Sequence, residues 1–116
     1  MVEADVRANY APEVVLLTSY GVFCGHAGVN FLSELMKRQL PDAQLTYTNR
    51  LVKGEFAFVE WKATSPRGCV EDGTDSFVIK DGRICLHTIH YTFKPKLYRP
   101  EEVFSAVAFG LSKQGE

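Results

Sequence analysis

The sequence predicts an α+β fold in which a curved antiparallel sheet carries its helices on one side. Three observations predict it. Residues 25–40 set apolar side chains at helical spacing, residues 44–93 read as four consecutive strand-like runs separated by turn dipeptides, and residues 98–114 return to helical spacing. The chain has 116 residues, 46% of them hydrophobic, which is the size and apolar content of one domain spanning 1–116, with a core at about 5–94 and a helical extension at 95–116.

The elements follow in order. "EADVRANY" is a short helix, and "APEVVLLTSYGVF" is a β-rich segment with a turn at Tyr20-Gly21. In "GHAGVNFLSELMKRQLP", Val29, Leu32, Met36 and Leu40 share a stripe, Lys37 and Arg38 occupy the last turn, and Pro41 ends the helix. "QLTYTNRLV", "EFAFVEWKATS", "CVEDGTDSFVIK" and "RICLHTIHYTF" are the four strands of a meander, with turns at Lys53-Gly54, Ser65–Gly68 and Asp81-Gly82. The stretch "KATSPRGCVEDG" reads as a charged mobile loop rather than a phosphate cradle. "YRPEEVFSAVAFGLSKQ" opens with Pro and two Glu and then spaces Val103, Phe104, Val107 and Leu111 helically, which predicts a helix over about 100–113.

Charge and composition exclude several functions. Thirteen basic and 14 acidic residues give a net charge of -1 with no basic patch, so neither nucleic acid nor an anionic membrane surface is an expected partner. No apolar run is long enough to span a membrane, and the first residues lack the pattern of a secretory signal, which makes the cytoplasm the expected compartment. Cys24, Cys69 and Cys85 are odd in number and widely spaced, so free thiols are expected and neither a metal site nor a cofactor is.

His87 and His90 tempt one toward an H-x-x-H metal site, but three residues apart on a strand they face opposite ways. Asp81-Gly82 is a strong signal for a two-residue type I′ turn. Extended without interruption, its register puts Asp75, Phe77, Leu86, Thr88 and His90 on one face, and Ser76, Val78, Cys85, His87, Ile89, Tyr91 and Phe93 on the other. Asp75 and His90 then become diagonal neighbours on a largely apolar face, as an acid–base pair, as ligand-orienting groups, or as a satisfied core pair. Phe77, Leu86 and Thr88 would line the same cavity. The face of Trp61 is left open by the ambiguous hairpin at Lys53-Gly54. Ile89, Tyr91, Phe93 and Val78 would form an exposed apolar stripe suited to an interface. For His26, at the start of the long helix, a role in the geometry of the turn or simple exposure is expected.

With these elements in this order, "YAPEVVL", "FVEW" and "FVIKDGRI" resemble the SnoaL-like branch of the nuclear transport factor 2-like superfamily over about residues 5–94. The resemblance implies a cone-shaped α+β barrel with a concave small-molecule pocket, and commonly a homodimer through the outer face of the sheet. It implies a small hydrophobic ligand and either a binding domain or a cofactor-independent enzyme of isomerase, cyclase or hydrolase type. The alternative is a non-catalytic interaction or oligomerisation module. Asp75 of "GTDSFVI" matches the strand position where ketosteroid isomerases hold an oxyanion-stabilising acid. Their basic carboxylate falls at about Thr18, which cannot serve as that base but would contact a ligand. The family's usual long opening helix over the pocket is expected to be lacking here, so that this wall is either missing or supplied by another element.

Overall fold

The β-branched and aromatic runs all form strands, and the strands join in one seven-stranded sheet. The computed structural model describes residues 2–96. The helix expected over 100–113 lies outside the described residues. In chain order the elements are α1 (Val2–Asn9), β1 (Tyr10–Thr18), β2 (Gly21–Cys24), α2 (Gly25–Gln39), β3 (Gln44–Lys53), β4 (Phe56–Ser65), β5 (Gly68–Lys80), β6 (Arg83–His90) and β7 (Phe93–Pro95). The sheet runs β2-β1-β6-β5-β4-β3, with β7 beside the start of β5. It is α+β and strongly curved, but mixed rather than wholly antiparallel, because β1 lies parallel to β6. Alternation within a strand carries no information on the direction of a neighbour more than 60 residues away, so that pairing was not legible.

α2 lies across the concave side, as its stripe requires. Val29 and Leu32 are buried against Val14 and Leu16 of β1, Trp61 and Ala63 of β4, and Ile89 of β6. Leu40 closes the helix by donating its backbone N–H to the Met36 carbonyl, 2.8 Å away, and Pro41 cannot continue it. At the other end the His26 Nε2–H donates to the Tyr10 carbonyl at 2.8 Å, so this histidine ties α2 to the α1–β1 junction.

The segment expected to be a mobile loop is a tight hairpin. Ser65 and Gly68 pair directly, Ser65 Oγ donates to the Pro41 carbonyl at 2.6 Å, and Arg67 Nη1 donates to the Arg38 carbonyl at 3.2 Å. These bonds dock the turn on the end of α2.

The expected face assignment of β6 is corrected by a bulge. Asp81 and Gly82 both have positive φ, 52° and 76°, as a type I′ turn demands, and Lys80–Arg83 and Ile79–Ile84 pair as expected. The register then slips. Val78 pairs with Leu86, Phe77 with His87, Ser76 with Thr88, Asp75 with Ile89 and Thr74 with His90. Cys85 is the extra residue, left outside the ladder with its thiol donating to the Val78 carbonyl at 3.4 Å. A one-residue slip exchanges every side chain beyond it between faces. His87, Ile89 and Tyr91 therefore point inward and are buried, while Leu86, Thr88 and His90 point outward. The interface stripe expected from Ile89 and Tyr91 does not exist, since both belong to the core. His87 and His90 do lie on opposite faces, as parity requires.

Candidate functional site

Between α1, α2 and the concave sheet lies a cavity of about 410 Å³. That is within the usual range of roughly 300–1,000 Å³ for small-molecule sites. Its walls come from Val6 of α1, Leu16 of β1, Val29, Leu32 and Met36 of α2, Leu45 of β3, Trp61 and Ala63 of β4, and Ile89 of β6. Asp5, Asn9, Ser33 and Lys37 also contribute. Within this apolar lining Tyr10 and His87 bring in ring polar atoms.

Those two residues begin a chain of polar contacts. The Tyr10 hydroxyl and His87 Nδ1 share a hydrogen bond of 3.0 Å, with their rings stacked at 5.9 Å between centroids. His87 Nε2 stands 3.5 Å from Asp75 Oδ2. This approach has the distance of an ion pair but not the geometry of a hydrogen bond, and Nε2 has no hydrogen-bond partner among the described residues. At that length an N–H is left unsatisfied. Asp75 Oδ1 accepts from Trp61 Nε1–H at 3.3 Å. Asp75 thus bridges the indole and the imidazole just behind the cavity wall. Burial pushes the Tyr10 hydroxyl up to about 12, and the nearby Asp75 charge adds to this. It stays protonated throughout the neutral range.

Local sequence explains the arrangement. The indole of Trp61 lies flat on Gly73, directly opposite in the ladder, where any Cβ would sit 2.3 Å from the ring. The Phe77 ring packs on His87, with centroids 4.2 Å apart.

Against expectation, His90 is not in this cavity. It sits exposed on the outer face, with Nε2 3.9 Å from Asp72 Oδ2. The Asp72 carboxyl is held below the usual carboxylate range chiefly by hydrogen bonds from the Thr92 hydroxyl and backbone N–H. The bulge at Cys85 is the reason, and His87 takes the place beside Asp75 that the uninterrupted register gave to His90. Leu86 and Thr88 are displaced with it. They line a second depression of about 510 Å³, shared with Phe56, Phe58 and Val78, at which Phe77 also appears. Thr18 is outside the cavity too. Its hydroxyl accepts from Tyr20 N–H and donates to the Gly21 carbonyl, both at 3.0 Å, and so shapes the β1–β2 turn. Asp75, Trp61 and Phe77 are brought together around His87.

Sequence reasoning missed Tyr10 and His87. Alternation could not find Tyr10, because β1 is irregular between Tyr10 and Val15 and Ala11, of opposite parity to Val14 and Leu16, is also buried. Among the described residues no three His, Cys, Asp or Glu side chains gather closely enough to hold a metal ion, and no helix is long and apolar enough to cross a membrane.

Comparison with known proteins accords with this geometry. The family described as SnoaL-like domain matches residues 3–87. A candidate isomerase of the SnoaL-like family from Agrobacterium tumefaciens superposes with a TM-score of 0.65 at 20% identity, covering 78% of this chain and 80% of that one. A candidate polyketide cyclase from Sinorhizobium meliloti gives 0.59 at 25% identity over 70% and 74%. A candidate ketosteroid isomerase from Kribbella flavida gives 0.61 at 24% identity over 85% and 69%. No curated protein matches the chain in sequence.

Proposed function

The chain belongs to the SnoaL-like domain family, and from that premise we propose that it binds a small, largely apolar molecule in the cavity under α2 and acts on it by acid–base chemistry of the isomerase or cyclase type. One observation carries the reading. His87, only 6% exposed, lies on the wall of a largely apolar cavity, and its buried Nε2 has no hydrogen-bond partner among the described residues. An unsatisfied buried N–H costs about 1–3 kcal/mol, so a site that keeps one gains when a ligand oxygen satisfies it. Asp75 is the second acid–base group. Its carboxylate is close enough to His87 to stabilise positive charge on the ring as a proton moves.

Calorimetric titration with 2-acetylnaphthalene, a flat apolar ketone of suitable size, tests the proposal. The wild-type chain should bind it. Ala63→Phe, which fills the cavity from β4, should abolish the heat while preserving the far-ultraviolet circular dichroism spectrum. His87→Phe should weaken binding by about three- to tenfold, the equivalent of one hydrogen bond. Equal binding by wild type and a folded Ala63→Phe would sink the assignment of this cavity.

A further inference from the structure

We infer that Tyr10 is a positioning residue that holds the His87 ring as the neutral Nε2–H tautomer, so that the cavity presents a hydrogen-bond donor and receives its ligand through an acceptor oxygen of carbonyl type. The inference deepens the proposed function and rests on the cavity being the binding site.

It follows from where each proton can go. Among the described residues the Tyr10 hydroxyl has one hydrogen-bond partner, His87 Nδ1 at 3.0 Å. A half-buried hydroxyl proton without an acceptor is costly, and Nδ1 can accept only with its lone pair free. A neutral ring then carries its proton on Nε2. The other nitrogen agrees. Nε2 stands 3.5 Å from an Asp75 carboxylate oxygen, where an N–H is favoured and a bare lone pair is not. If Nδ1 carried the proton instead, the Tyr10 hydroxyl would have to accept and its own proton would lose its one acceptor among the described residues, while two acceptors would meet at Asp75. The raised titration of Tyr10 keeps its proton available across the neutral range.

Tyr10 is itself held from two sides. Its carbonyl accepts from His26 Nε2–H at 2.8 Å, and its ring stacks on His87. Phe77 also packs against the imidazole, with centroids 4.2 Å apart, so a flip of the ring would break these contacts. Nε2–H makes no hydrogen bond to Asp75, so that buried donor is unsatisfied among the described residues. A ligand bringing only a donor at this point would meet another donor.

Long-range ¹⁵N–¹H spectra of the ligand-free protein read the tautomer directly, because the described residues hold His26, His87 and His90 as the only histidines and each can be assigned by substitution. The expected pattern is a protonated Nε2 and a hydrogen-bonded, unprotonated Nδ1 for His87. A protonated Nδ1, alone or in an imidazolium, overturns the inference. In Tyr10→Phe, which keeps the stacked ring, a mixture of tautomers should appear, and an unchanged pattern would show that Tyr10 does not set it. In the wild type 2-acetylnaphthalene should be preferred over 2-isopropylnaphthalene, which has the same shape without the oxygen. That preference should fall several-fold in Tyr10→Phe, and an undiminished ratio would count against the positioning role. Failure of either compound to bind a wild type that shows the expected tautomer would instead overturn the cavity reading.

Discussion

Trp61 and Gly73 show how a single missing atom can build a site. The indole rests where a Cβ would intrude to 2.3 Å, so Gly73→Ala must push the ring away and stretch its hydrogen bond to Asp75. The expected cost is about 1–3 kcal/mol, typical of an overpacked core, read as a lowered denaturation midpoint. Glycines with open space beside them, such as Gly54 and Gly82, should show no such clash. Tyr10 supplies a second test at this scale. Its hydroxyl titrates near 12 in the folded protein against 10.0 for the free side chain, so the fold favours the neutral form. Its contribution to stability is therefore constant below pH 10 and is lost as pH rises from 10 to 12. Urea midpoints should fall more steeply over that window in the wild type than in Tyr10→Phe. Alternation and resemblance together singled out Asp75 from sequence, and its carboxylate lies beside Trp61 and His87, behind the cavity wall. Its partner was misassigned because a regular turn was extended along a strand that is not regular.

At the level of the element, that irregularity is Cys85. The turn at Asp81-Gly82, α2, the limits of β3 to β5 and the start of β6 were legible, since each rests on residues near in sequence: positive-φ turn formers, an amphipathic period and a proline stop; β6 ends at His90 rather than Phe93, which belongs to the unforeseen β7. The bulge was not legible, because Leu86-Thr88-His90 and His87-Ile89-Tyr91 are both plausible inward triads by hydropathy, and the choice depends on how bulk fills the space under α2. Deleting Cys85 would close the ladder with Val78–Leu86, Phe77–His87 and Asp75–Ile89 still paired, so His87, Ile89 and Tyr91 should stay inward. Thermal denaturation should therefore find both the deletion and Cys85→Ala close to the wild type. A loss of several kcal/mol in the deletion alone, as expected if Ile89 and Tyr91 left the core, would mean that the bulge itself is needed to hold β6.

On the scale of the whole molecule, the described residues leave apolar surface uncovered. Phe56, Leu51 and Val52 are 62%, 57% and 77% exposed near the far ends of β3 and β4, and Phe58, Val78 and Leu86 join Phe56 around the outer depression. A contiguous patch of this kind marks an association surface. Sedimentation at micromolar concentration should find a dimer or larger assembly, and Phe56→Glu should shift it to monomer without altering the circular dichroism spectrum. A wild-type monomer under those conditions would refute the expectation. This surface differs from the stripe read from sequence, yet it lies on the same outer side of the sheet, since the bulge changed which β6 residues face outward and left the curvature of the sheet intact.

Trp61 is the sole indole of the chain, and it is buried against Asp75 and Tyr91. The excited state of this one chromophore, pinned by its N–H to a carboxylate, therefore reports on a single address. Quenching, spectral position and anisotropy would each register a change at the polar cluster with no competing signal from elsewhere in the chain. The protein thus carries a built-in gauge by which occupancy of its cavity can be followed in real time and without a label.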